Sequence, residues 1–330
     1  MGEYRVKIES IAKAVPKKIL TNADLEKIVD TSDEWIRTRT GMVERRISDE
    51  NTAASDLVFE AAEKALKKTS IKARDIDLII IATVTGDHPF PSTACIVQSK
   101  LGIHGCPAFD ISAGCSGFIY AITIAKQLLE TGFAHNVLVA GVELLTKITN
   151  WKDRGTCVLF GDGAGVAILT RANKGEISEV IDTYISADGK YGNLLIQQAG
   201  GSRHPASKET VEQNLHTVYM EGNKIFKIAV KSMGDAADVI LSRNGFTGED
   251  LDWLVPHQAN LRIIDATAKR LRLLPQQVII NIEKYGNTSA ASIPLAFAEA
   301  VQDGRIRRGD LIVLDAFGAG LTWGSVLLRY

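Results

Sequence analysis

Two stretches of the chain, F-I-Y-A-I-T-I-A from Phe118 and A-S-I-P-L-A-F-A from Ala291, are apolar on nearly every side when wound as helices. A helix with no polar face must be buried all round, so a chain with two of them needs layers of other structure on both sides of each. Their surroundings also repeat. I-D-L-I-I-I from Ile76 is echoed by L-D-W-L-V-P from Leu251, and L-L-E-T-G from Leu128 by A-V-Q-D-G from Ala300, an offset of 172 to 175 residues. A period this long reads as duplication of a domain-sized unit, not as a solenoid.

Runs rich in β-branched residues predict strands at 76–83, 107–111, 136–140 and 166–170, matched in the second half by 251–256, 278–282, 310–315 and 325–329. Strands alternating with helical patterns indicate the α/β class. The expected architecture is a five-layer α-β-α-β-α body made of two duplicated halves, residues 1–172 and 173–330, with the apolar helices at its centre. Two separate Rossmann-like domains would be the alternative, but no Gly/Ser/Pro-rich linker occurs near residues 171–178.

A formal net charge of −1 argues against a general nucleic-acid or membrane partner, which a large basic surplus would serve. No apolar run reaches the roughly 20 residues that cross a bilayer, and the N-terminus lacks the apolar core of a signal peptide. Cys95, Cys106, Cys115 and Cys157 form no C-x-x-C pair, which suggests neither a zinc site nor a disulfide framework. A cytoplasmic location is the expectation.

Cys115 lies in F-D-I-S-A-G-C-S-G-F, at a strand-to-helix turn between Gly114 and Gly117. The positive end of a helix and its unpaired N–H groups favour thiolate, so this turn can make a nucleophile. In the second half, V-P-H-Q-A-N sets His257 just past a strand end, and K-Y-G-N-T-S-A-A-S sets Asn287 at the turn that an offset of 172 pairs with Cys115. The repeat therefore predicts that the three converge. A Cys-His-Asn set also serves papain-like proteases, but their C-G-S-C-W-like segment is absent.

The ordered motifs A-G-C-S-G, G-D-G-A-G at 161–165, V-P-H-Q-A-N-L-R-I-I, Y-G-N-T-S-A-A-S-I-P and L-T-W-G-S-V-L at 321–327 together resemble the β-ketoacyl-acyl carrier protein synthase III family of the thiolase-like fold. The resemblance implies a decarboxylating condensation. An acyl-CoA primer, commonly acetyl-CoA, loads Cys115 and then reacts with malonyl-acyl carrier protein, with no metal or bound cofactor. His257 and Asn287 are expected to stabilise the enolate, and the N–H groups of Cys115 and Ala319 the tetrahedral oxyanion. Related condensing enzymes use two histidines, a second cysteine or an added glutamate. Plant polyketide synthases share Cys-His-Asn and stand as the other candidate.

The resemblance also implies CoA contacts from Trp35, Arg39, Arg154 and Asn260, with the Trp35 face open to adenine and the arginines to phosphates. It implies a homodimer, with Phe90, in H-P-F-P-S-T, helping to shape the primer pocket across the interface. Acyl carrier proteins are acidic, and the basic residues Lys227, Arg262, Lys269 and Arg270 with the neighbouring Gln258 are the expected docking patch, supported by Lys224, Lys231 and Arg272. The segment between Ser186 and Glu221 is read as an irregular loop bordering the tunnel. At the turn F-G-A-G, Ala319 is expected at negative φ, with Gly318 and Gly320 taking the unusual torsions.

Overall fold

The computed structural model describes residues 4–330. The strands in chain order are β1 (Val6–Ala14), β2 (Lys18–Thr21), β3 (Glu44–Ile47), β4 (Leu78–Ala82), β5 (Ala108–Ile111), β6 (Asn136–Leu144) and β7 (Asp162–Arg171). They continue with β8 (Glu179–Ala187), β9 (Leu195–Gln197), β10 (Val218–Met220), β11 (Trp253–Pro256), β12 (Leu311–Gly318) and β13 (Thr322–Arg329). One sheet has the order β1-β7-β6-β4-β5 and a second β11-β12-β13-β8, with β4 parallel to β5 and β6, and β11 parallel to β12.

The predicted layers are present. Helices Gly117–Glu130 and Ser292–Gln302 lie between the two sheets and touch both, while Ala54–Leu66 covers the outer face of the first sheet and Gly222–Arg243 that of the second. Period-two alternation sorts the side chains. Leu78 and Ile80 enter the central core with Phe118, Ile122 and Phe297, whereas Ile79 and Ile81 face the outer helices beside Val58 and Ala61. Two independent Rossmann-like units would not share this central layer.

Two expectations need correction. The run 278–282 is not a strand: Val278 makes a single bridge to Leu254, and a short helix Ile282–Tyr285 follows. The reason is Gln258, whose buried side chain donates to the Ile279 carbonyl (3.1 Å) and accepts from the Asn281 N–H (3.0 Å), taking backbone groups a longer ladder would use. The segment 186–221 is not simply irregular either, because β9 and β10 pair within it.

The offset is also sharper than the sequence suggests. Leu78 and Trp253, Asn136 and Leu311, and the helix starts Gly117 and Ser292 are all separated by 175 residues. The value 172 applies at the far ends of the two central helices, where Gly132 (φ 81°) and Gly304 (φ 80°) follow, because the second helix is 11 residues long and the first 14. At the helix starts, Gly114 (φ 52°) therefore matches Ser289 (φ 49°), Cys115 matches Ala290, and Asn287 sits three residues earlier than the equivalent point.

Candidate active site

Cys115 occupies a 3-10 turn, Gly114–Ser116, that runs directly into the Gly117–Glu130 helix. Its thiol meets the N–H groups of Ala319 and of Cys115 itself and the Ser289 hydroxyl, all of which favour the ionised form. Burial outweighs them and pushes the thiol up to about 11. The helix end and its N–H groups favour thiolate as expected, but desolvation by the surrounding protein works against them at this partly exposed side chain, and something must take the proton.

Ala319 is not at positive φ; Gly320 (φ 135°) is. Gly318 does not share that torsion. Its smallness serves approach instead, since a Cβ there would lie 2.4 Å from the Cys115 nitrogen.

His257 follows β11 and is 1% exposed. Its Nδ1 is 2.6 Å from Ser292 Oγ, which also accepts a hydrogen bond from the Gln258 N–H (3.4 Å). With the hydroxyl donating to Nδ1, the imidazole proton resides on Nε2, the tautomer that gives the cavity an N–H donor. Burial pulls His257 down to about 3, so the ring is a neutral N–H donor. Asn287 Oδ1 accepts from the Ser289 N–H (2.9 Å), which turns the Nδ2 donor outward.

Cys115 and Asn287 border two cavities. One, about 170 Å³, is apolar, with Val84, Leu145, Ile148 and Phe160 in its wall and β9 and β10 over it. The other, about 330 Å³, leads past His257 to Trp35, Arg39 and Arg262. A nucleophile beside two neutral donors, with an apolar pocket on one side and a basic exit on the other, suits acyl transfer between long thioesters.

Comparison with known proteins agrees. Residues 109–189 match the family model for 3-oxoacyl-[acyl-carrier-protein] synthase III, and residues 241–330 match that for its C-terminal part. Beta-ketoacyl-[acyl-carrier-protein] synthase III of Caldanaerobacter subterraneus is 58% identical over 316 residues, 96% of this chain and 95% of that protein. The chain belongs to the 3-oxoacyl-[acyl-carrier-protein] synthase III family. The synthase III of Symbiobacterium thermophilum is 51% identical, covering 98% of each chain. The crystal structure of the Aquifex aeolicus synthase III has a TM-score of 0.90 at 48% identity, covering 98% of this chain and 100% of that one. The chain is thus an acyltransferase with the thiolase-like fold, and the plant polyketide alternative is not favoured.

Around the mouth, the Arg154 and Arg39 guanidinium groups lie 4.9 and 5.9 Å from the Trp35 ring centre. Asn260 accepts from the Arg262 N–H (3.0 Å), capping the Leu261–Arg270 helix, and donates to the Arg39 carbonyl (3.0 Å) near the end of the Asp33–Thr40 helix, so both ends of its amide are already used. Phe90 is 85% exposed and borders neither cavity of its own chain. Among the docking candidates, Gln258 is fully buried and cannot meet a partner. Arg270 is paired with Asp235 and Asp238, Lys224 with Glu221, and Lys231 with Asp235. Arg272 lies beyond the helix end at φ 59°, off the predicted face. Lys227, Arg262 and Lys269 are exposed and make no ion pair among the described residues.

Sequence reasoning passed over Ser289, Ser292 and Glu143. Glu143 is fully buried on β6 within N-V-L-V-A-G-V-E-L, and a lone acid in an otherwise apolar strand was the available signal. No group of three or more His, Cys, Asp or Glu side chains able to hold a metal occurs among the described residues, and no helix there is long and apolar enough to cross a membrane.

Proposed function

We propose that this chain condenses an acyl-CoA primer with malonyl-acyl carrier protein, giving a 3-oxoacyl-carrier, CoA and CO2 at the start of type II fatty-acid synthesis. The observation that carries this reading is the opening of Cys115, His257 and Asn287 onto one cavity that leads to Trp35 and Arg39. Cys115 sulfur attacks the primer thioester carbon, and the N–H groups of Cys115 and Ala319 hold the oxyanion until the CoA thiolate leaves and is protonated. The acyl chain then fills the apolar cavity beside Phe160 and Leu145. When malonyl thioester replaces CoA, His257 Nε2–H and Asn287 Nδ2–H donate to its carbonyl oxygen. The bond to the carboxylate breaks, CO2 departs, and the enolate carbon attacks the acyl carbon. Cys115 leaves as thiolate and regains one proton.

Trp35, Arg39 and Arg154 bind the nucleotide end of CoA in this reading, with Asn260 shaping the wall. Lys227, Arg262 and Lys269 receive the acidic carrier, and Arg270 contributes through the helix it braces. The exposed Phe90 supports a homodimer in which this ring lies against the partner's primer pocket. Four free cysteines support a cytoplasmic protein, and the reaction as written calls on no resident cofactor. The separation of the two sheets, one ending at Arg171 and the other starting at Glu179, supports halves 1–172 and 173–330. The test is to incubate the protein with acetyl-CoA and then malonyl-carrier, following Cys115 by mass spectrometry. A transient gain of one acetyl group and formation of 3-oxobutyryl-carrier are expected; absence of both would overturn the reading.

A further inference from the structure

The Cys115 thiol must lose a proton in a place where burial opposes the charge, and with its Nδ1 taken by Ser292 Oγ, His257 presents only Nε2, which the proposed condensation uses as an N–H donor. Another route lies behind the nucleophile. Ser289 Oγ, which meets the thiol, is 3.3 Å from Glu143 Oε1. The other oxygen of that carboxyl, Oε2, accepts from the Thr85 hydroxyl at 2.5 Å, and Thr85 is itself oriented by the Leu144 N–H (2.8 Å). The Val84 N–H donates to both oxygens (3.2 Å each). Thr83 Oγ1 is 3.5 Å away. Oε1 is thus the oxygen turned towards Ser289.

Ser289 also stands at φ 49°, which is costly for a residue with a side chain, where the first half has Gly114. The strain holds its hydroxyl between the thiol and a carboxyl sealed from solvent.

We propose that Ser289 and Glu143 form a proton relay that activates Cys115. In the form with Glu143 ionised, which grows as pH approaches 8, the thiol donates to Ser289 Oγ and the hydroxyl donates to the Glu143 carboxylate. On attack the S–H bond breaks, its proton passes to Ser289 Oγ, and the serine proton moves to Glu143 Oε1 while sulfur bonds to the acyl carbon. When the primer's C–S bond breaks, the departing thiolate takes up one proton as the two transfers reverse, so none is gained or lost. Ser289 touches the reacting sulfur; Glu143 is a positioning residue acting through it. This inference rests on Cys115 as the nucleophile of the proposed reaction.

The electrostatics agree. Burial raises Glu143 to about 8, into the range where it both takes and returns a proton near neutral pH. The groups facing it are the Thr83, Thr85 and Ser289 hydroxyls and the Val84 N–H, with Cys115 the titratable neighbour that registers its charge. On the adjoining strand β7, Asp162 is tied to Ser48 and Thr146.

The test is the rate of Cys115 alkylation by iodoacetamide against pH, read on the Cys115 peptide by mass spectrometry, because it needs no substrate. The wild type should show one rise centred near 8, where Glu143 becomes carboxylate, and another towards 11. Glu143→Gln should lose the lower rise and react on the order of tenfold more slowly at pH 8.5. Ser289→Gly, which removes the hydroxyl while suiting the positive φ, should do the same, and it decides the matter if Glu143→Gln proves unfolded by circular dichroism. A merely structural carboxyl would scale the rate without moving the profile. A lower rise kept in either folded variant, or missing from the wild type, overturns the relay. Failure of acetyl-CoA to label the wild type would instead count against the condensing reaction and leave the alkylation profile to judge the relay.

Discussion

Gly318 packs so closely on Cys115 that an added Cβ would lie 2.4 Å from the Cys115 nitrogen and 2.8 Å from its Cβ. Neither neighbour can yield, because one is backbone and the other carries the nucleophile. Gly318→Ala should therefore displace the turn, cost about 1–3 kcal/mol by overpacking and depress loading from acetyl-CoA. Ala319→Gly, at a residue not held at positive φ, should keep most of the loading rate. Urea melts and acetyl incorporation by mass spectrometry check both; a fully active Gly318→Ala would show that the turn has slack the structure does not suggest.

The donor geometry separates the two half-reactions. Asn287→Asp keeps the acceptor for the Ser289 N–H but replaces the outward donor by a carboxylate oxygen, and His257→Ala removes the other donor. Both variants should still take up an acetyl group, while condensation falls by about 10²–10³-fold for loss of one oxyanion donor. Cys115→Ala should not be acylated at all. Failure of a folded Asn287→Asp to gain an acetyl group would show that the division of labour is wrong.

Stability should respond to two buried groups in opposite senses. Glu143 keeps its proton to about 8 in the folded chain, against an ordinary value of 4.5. Between those values only the folded state holds the proton, so this contribution is present below 4.5 and falls as pH rises towards 8, by about 1.4 kcal/mol per pH unit. His257, lowered from 6.5 to about 3, has the reverse effect: the unfolded chain gains the proton first, and stability falls as the pH drops below 6.5. Urea unfolding across pH 4 to 9 should show Glu143→Gln losing the decline as pH rises above 4.5 and His257→Gln the decline as pH falls below 6.5.

Carrier docking can be separated from loading by charge. Lys227 and Lys269 lie on two helices packed together, Gly222–Arg243 and Leu261–Arg270, and neither is tied to an acid among the described residues. Reversing both to Glu should weaken use of malonyl-carrier, most strongly at low salt, and spare acetyl-CoA loading. Arg270→Glu should instead lower the melting temperature, since it sets a third acid against Asp235 and Asp238. Equal loss of both half-reactions in the double reversal would remove the docking assignment.

Local pattern was enough to place the layers, the two central helices and the neighbourhood of Cys115, His257 and Asn287, because apolar periodicity and turn residues act over a few positions and the duplication repeats them. Three features lay beyond it. The strand expected at 278–282 is absent because a side chain from elsewhere, Gln258, occupies its backbone partners. The equivalence of Cys115 with Ala290, not Asn287, depends on one helix being a turn shorter than the other, a length only packing between two sheets reveals. The desolvation that raises the thiol is the third, because sequence shows the helix end but not what surrounds it. Motifs name which residues can react, whereas desolvation and the juxtaposition of Cys115, Ser289 and Glu143, far apart in the chain, are properties of the folded interior.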